Sequence, residues 1–264
     1  MKRTAPTLFL GLLVFIFSAC TTAADYTIQN NIPPTNTALP PTPTIVWFPP
    51  SETPTAQPVI TRRPTPERKP GIGSLLVTDD FSSRSLWNPA ASEDATIELG
   101  RNRLTIAVQP GVNAFRVRQG PLLTDFYAEV TARPSLCRDQ DEYGLLFRAP
   151  SNAAYYAFVL SCDGTARAER VRFNRAYPLQ SGIPSADVPL GAPGEVRLGV
   201  WVSGSEMRFF LNERYQFSAT DPALKAGSVG VFARSRGQTP VTILFSDLSI
   251  SDVTYIPPSS TPTP

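Results

Sequence analysis

The chain has 264 residues, enough for one or two ordinary domains, and 24 Lys and Arg against 22 Asp and Glu leave it almost neutral. It has no histidine, which excludes Ser-His-Asp and Cys-His nucleophile pairs in their usual form and zinc sites that need imidazole. Its 3 cysteines cannot complete a Cys₄ zinc site, and its arginines are interleaved with acids rather than gathered on a basic face, so no nucleic-acid partner is expected.

Lys2 and Arg3 precede an apolar run at residues 8–17 (LFLGLLVFIF), and the small Ser18 and Ala19 follow it. A positive start, a short apolar run and small residues at the end read as an export signal over residues 1–19. The run is shorter than the ~20 apolar residues that cross a bilayer. Phe17-Ser18-Ala19-Cys20 resembles the lipobox of bacterial lipoproteins, with Phe17 where that family usually has Leu. The resemblance implies cleavage before Cys20 and lipidation of its thiol, so the membrane is a partner through that lipid. Several acyl chains on one cysteine anchor stably where a single chain holds only marginally. The chain is therefore expected outside the cytoplasm, anchored to the cell membrane, with its remainder displayed at the cell surface. An ordinary secreted protein is the other reading of the same residues.

Residues 20–73 form a Pro/Thr-rich stretch that includes PPTNTALPPTPT and RRPTPERKP. Its apolar residues are too few for a core, so a disordered or polyproline-like stalk is predicted. At about 3.1 Å per residue it reaches on the order of 160 Å when extended. Ile45, Val46, Trp47 and Phe48 are its one apolar cluster. The tail, residues 255–264, repeats this composition and is expected to be unstructured.

Residues 74–254 change texture. Short apolar-alternating stretches are separated by Gly, Pro, Asn and Asp. At 126–133, Phe126, Ala128, Val130 and Ala132 face one way, and Tyr127, Glu129, Thr131 and Arg133 the other. At 195–202, Val196, Leu198, Val200 and Val202 oppose Arg197, Gly199 and Trp201. Strands buried on one side, without crossover helices, predict an all-β fold: an antiparallel jelly-roll β-sandwich behind the disordered linker. Cys137 and Cys162 remain once Cys20 is assigned to lipid, and outside the cytoplasm such a pair tends to form a disulfide. Two buried free thiols are the alternative.

Several segments together resemble the concanavalin A-like lectin/glucanase superfamily, in the style of laminin-G-like and 3-keto-disaccharide hydrolase domains. They are Asp79-Asp80-Phe81 with Trp87, YGLLFR from Tyr143, and YYAFVL from Tyr155 with Asp163-Gly164. FFLNE from Phe209, GSVGVF from Gly227 and FSDL from Phe245 complete the set. The resemblance implies the sandwich and a role among glycan-binding modules, lectins, glucanases and adhesion domains. The glucanase branch carries Glu-x-Asp-x-(x)-Glu on one strand. Asp139-Gln-Asp-Glu142 has a different order, so no catalytic residue is assigned. The expectation is a non-catalytic domain that binds a glycan or other extracellular polymer. A glycoside-processing hydrolase and a structural or adhesion module for protein contacts are the alternatives.

Sugar binding calls for exposed aromatics flanked by polar groups. Trp201 with Arg197, Tyr127 with Glu129 and Arg133, and Arg148 are the candidates for one open sheet face. The competing reading makes Trp201 a core residue. Asp79, Asp80 and Asp247 are candidates for a structural Ca²⁺, against a role in backbone turns; no other cofactor is expected. Arg167, Arg170, Arg172 and Arg175 form a basic stripe, readable as a site for an acidic glycan or as a solvated face.

Overall fold

A computed structural model describes residues 67–256. The signal segment, Cys20, the stalk up to residue 66 and the tail from residue 257 lie outside the described residues. The chain begins with β1 (Ile72–Asp79), a single helical turn α1 (Arg84–Trp87), β2 (Ala90–Ala91), β3 (Ala95–Leu99), β4 (Leu104–Val108) and β5 (Asn113–Val117). Longer strands follow: β6 (Phe126–Leu136), β7 (Glu142–Ser151), β8 (Ala154–Ser161), β9 (Thr165–Arg172) and β10 (Arg175–Pro184). The last five are β11 (Val196–Ser203), β12 (Glu206–Leu211), β13 (Arg214–Thr220), β14 (Ser228–Arg234) and β15 (Val241–Val253).

These strands form two antiparallel sheets. The nine-stranded sheet runs β13-β12-β11-β6-β15-β4-β3-β2, with β1 beside the second half of β15. The six-stranded sheet runs β10-β9-β8-β7-β14-β5. β15 serves two partners on one side: Val241 to Phe245 pair with β4, and Leu248 to Val253 with β1. The change falls at Asp247, where φ is 56° and the register against β6 slips. A bulge of this kind lets one long strand keep its apolar residues inward past the slip.

Alternation then decides the layers. Phe126, Ala128, Val130 and Ala132 of β6 and Val196, Leu198, Val200 and Val202 of β11 point inward. They meet Tyr143, Leu145 and Phe147 of β7 and Tyr156, Phe158 and Leu160 of β8 in one core. Each large side chain so buried stabilises by about 1.5–3 kcal/mol. The predicted sandwich is therefore the observed fold.

Cys137 and Cys162 form a disulfide across 25 residues, with Cα atoms 6.1 Å apart. Cys137 follows β6 in one sheet and Cys162 follows β8 in the other, so the bond ties the two layers together at one end. Closing a loop of this length stabilises by about 3–4 kcal/mol in the chain-entropy picture.

Order begins earlier than the alternation suggests. β1 starts at Ile72, inside the stretch read as stalk, and residues 68–71 already lie on the outer face of the nine-stranded sheet. Gly71 has a φ of 71°, and a Cβ there would collide with the Thr254 carbonyl, so the position requires glycine. Thr254 N–H bonds Gly71 O at 2.8 Å, so the segment entering the sandwich and the segment leaving it meet at one point.

Candidate functional site

The residues left over from the core lie on the two outer faces. The nine-stranded face carries Tyr127 and Glu129 from β6 and Arg197 and Trp201 from β11, and the structure brings these four together. Tyr127 OH donates to Glu129, whose second oxygen accepts from Arg197 at 2.8 Å. Gly199 makes room for the phenol, since a Cβ there would stand 2.8 Å from Tyr127 OH. Burial first, then the adjoining Glu129 carboxylate, pushes the Tyr127 hydroxyl far up.

This cluster is not an open platform. Trp201 is 0 % exposed, and its indole N–H donates to Pro70 O at 2.9 Å. The Arg208 guanidinium lies 4.5 Å from the Trp201 ring centre, and Tyr255 packs against its edge at 5.4 Å. Lys69 sits over Tyr127 and Phe210, and Arg68 over Tyr215. The expectation that Trp201 lines an accessible face is thus corrected. Pattern alone puts Trp201 on the polar side of its strand, but residues 68–71 and Tyr255 cover that side with backbone, cations and an aromatic ring.

Two other sequence candidates are placed elsewhere. Arg133 pairs with Glu195 at 2.7 Å and donates to Ser246 Oγ at 2.6 Å. Arg148 is corrected from a face residue to an internal staple. It is 1 % exposed, with φ 43°, and donates to Thr124 O, Gly204 O and Leu224 O as well as to Asp125. A left-handed backbone there breaks the alternation and turns the guanidinium into the loops, where carbonyls replace water. Burial lowers its pKa while Asp125 opposes the shift.

The aspartates proposed for calcium have other work. Asp79 accepts from Phe81 N–H, the Trp87 indole N–H at 3.1 Å and Arg118 at 2.6 Å. Asp80 accepts from Ser82 N–H, and Asp247 from Ser246 Oγ. Among the described residues no three His, Cys, Asp or Glu side chains gather as a metal cluster. The turn reading of Asp79 and Asp80 accounts for their contacts.

The six-stranded face carries a constellation that the sequence reading did not assemble. Glu142 of β7 accepts from Arg167 at 2.8 Å and Arg234 at 2.9 Å, and forms an ion pair with Arg236 at 3.2 Å. Glu169 of β9 lies 3.4 Å from Arg167, and its Oε1 is buried without a hydrogen-bond partner; Arg234 is 3.9 Å away. Tyr155 of β8 stands beside them. Burial raises its hydroxyl pKa, with Arg234 and Glu169 acting on it in opposite senses. A cavity of about 390 Å³ opens here, lined by Tyr155, Asn113, Asn174, Arg234 and Arg236 among others. An aromatic ring, two amides and two guanidiniums are groups that hold a hydroxyl-rich ligand.

The signal for this site was present in part. In Thr165-Ala-Arg-Ala-Glu-Arg-Val-Arg172, alternation puts Arg167, Glu169 and Val171 on one face. The sequence shows no partner for them, because Glu142 lies 25 residues from Arg167 in the chain, and Arg234 lies 92 residues from Glu142. Asp141 of the acidic motif serves a loop instead, accepting from the N–H groups of Arg138, Arg236 and Gly237.

No family model matches the sequence, and no curated protein matches it either. Solved structures similar in fold include the catalytic domain of an endo-1,3-β-glucanase (laminarinase) from Thermotoga petrophila. Its TM-score is 0.51 at 8% identity, over 69% of this chain and 98% of that one. LamAcat from Zobellia galactanivorans gives 0.50 at 11% identity over the same 69% and 98%. A structure from work on endo-acting O-glycanases, expressed by human gut bacteria to initiate mucin breakdown, gives 0.52 at 8% identity over 69% and 100%. At these identities the likeness is one of fold, and the described part of the chain is an antiparallel jelly-roll β-sandwich.

Proposed function

We propose that this chain is a surface-displayed, non-catalytic binding protein that holds a glycan on the outer face of its six-stranded sheet. Cys20 carries the lipid anchor, residues 20–73 provide most of the spacer, and the sandwich is the binding head. The observation that carries the reading is a cavity of about 390 Å³ on this face, lined by Tyr155, Asn113, Asn174 and two arginines, whose ring, amides and guanidiniums suit a hydroxyl-rich ligand.

Binding of a polysaccharide panel, followed by affinity electrophoresis and calorimetry, tests the reading. Tyr155→Ala and Asn113→Ala, both in the cavity lining, are each expected to weaken binding about tenfold, or ~1.4 kcal/mol. Unchanged binding in both variants, with loss in Lys69→Ala, would move the site to the other face and sink the proposal.

The second reading is a glycoside-processing hydrolase, favoured by two carboxylates on one sheet face in a fold shared with laminarinase domains. Glu142 is already paired with three guanidiniums, which leaves it poorly placed to deliver a proton or attack a sugar carbon. New reducing ends that appear with the wild type and vanish with Glu142→Gln would establish this reading over the first.

A further inference from the structure

A second cavity, of about 500 Å³, adjoins the first at the edge of the six-stranded sheet. On the side of the nine-stranded sheet its wall is Ala90, Ala91, Ser92 and Ala95, whose short side chains leave the gap open. The opposite wall is β5, from Asn113 to Val117, the last strand of the six-stranded sheet.

The free edge of β5 faces this gap. Ser235 N–H donates to Val112 O and Arg118 N–H to Val229 O, so these residues bond on the β14 side. By alternation Asn113, Phe115 and Val117 turn their backbone groups to the open side. Arg116 donates there to Phe115 O at 3.0 Å and to Asn88 O at 2.9 Å. This brace blocks the middle of the edge, where an added protein strand would need a continuous ladder. Sugar hydroxyls need no such ladder.

The polar groups that remain are amides. Asn88, Asn113, Gln119 and Asn152 line the cavity and are exposed, and their side chains bond no other described residue. An amide offers both a donor and an acceptor, which suits a hydroxyl. No lining residue is acidic, and the one cation is Arg116, already held on two carbonyls. The two arginines of the first cavity, Arg234 and Arg236, are both paired with Glu142. Neither cavity therefore selects for a charged ligand.

The cavities are contiguous. Asn113 lines both, and the Phe115 ring of the second packs on the Tyr155 ring of the first with centres 5.6 Å apart. From Asn113 to Val117 a strand runs about 13 Å, more than one sugar ring covers.

We propose that the edge cavity extends the glycan site along β5, and that the ligand is an uncharged polysaccharide held over several consecutive sugar units. One part of the chain occupies the Tyr155 cavity, passes Asn113, and continues against the amides of the edge. The inference rests on the glycan-binding reading and names the ligand class for it.

The test uses the full chain with laminarin, glucomannan and arabinoxylan as uncharged probes and polygalacturonate as the anionic one, each also cut to fragments of increasing length. An uncharged probe is expected to bind in preference to polygalacturonate, with affinity that rises with fragment length. The double variant N152A/Q119A should remove that rise, weakening the longest fragment about tenfold and leaving the shortest as in the wild type. A purely structural role would not separate fragments by length. Tyr155→Ala should weaken every length. Binding lost in Tyr155→Ala but untouched at every length by N152A/Q119A overturns the edge cavity and leaves the first cavity standing. A preference for polygalacturonate overturns the uncharged class. Failure of all four polysaccharides overturns the glycan reading itself. Binding of a synthetic peptide with the β14 sequence, Ser228–Arg234, in place of any polysaccharide overturns the inference in favour of an added protein strand.

Discussion

The two outer faces of the sandwich start from similar material and end differently. Each carries aromatic side chains and at least one half-buried or buried glutamate with arginines that reach it. On the nine-stranded face, Trp201, Tyr127 and Phe210 are roofed by residues 68–71 and Tyr255, and the Glu129–Arg197 pair closes the cluster. On the six-stranded face, Tyr155 and Phe115 lie beside Glu142, Glu169 and three arginines, and a cavity remains. The difference teaches that an aromatic on the polar side of a strand is a ligand platform only if the chain does not return to cover it. A ring with its one donor satisfied by Pro70 is already bound, with the protein itself as its ligand.

The sharpest way to break this comparison is Trp201→Ala. If the ring is a covered structural residue, its loss costs about 3–5 kcal/mol of stability by chemical denaturation. Polysaccharide binding by the remaining folded protein should be unchanged. A stable variant with lost binding would return Trp201 to the role of platform. Next in size is the bond between the layers: Cys137→Ser with Cys162→Ser should lower stability by about 3–4 kcal/mol. The six-stranded face should survive that change at low temperature, because neither cysteine borders the Tyr155 cavity.

The smallest effect is one of pH. Burial pushes Asp221 upward, but hydrogen bonds from Tyr156, Ala223 N–H and Arg170 outweigh it and hold the carboxyl below its ordinary value. A lowered folded value means stability that is present above the unfolded aspartate value of about 3.9 and lost as pH falls through the folded one. Asp221→Asn should therefore flatten the loss of stability below about pH 4. Tyr156 gives the opposite limb, since burial and then Asp221 push its hydroxyl up to about 12. The stability it contributes is complete below the unfolded value near 10 and declines as pH rises towards 12. An acid limb identical in wild type and Asp221→Asn would remove Asp221 from this account.

Much of the fold was legible in the residues. The alternation in β6 and β11 named the inward side chains of both strands, and the observed core contains all eight. Cys137 and Cys162 were paired from compartment logic, and the disulfide is there. The binding candidates were less legible, and Arg148 shows why. Its neighbours read as a regular strand, but a φ of 43° turns the side chain into loops that come from residues 124, 204 and 224. Glu142 was visible only as the last member of an acidic run, because its three arginine partners are distant in sequence.

The amino-acid sequence by itself determined the layer plan: which residues of each strand share a face, and which two cysteines cross-link it. These follow from local geometry, since successive side chains on a strand must point to opposite sides. Only the tertiary structure decided which outer face stays open. That depends on where a short segment, residues 68–71, lies against strands more than a hundred positions away, and no local pattern encodes such a contact.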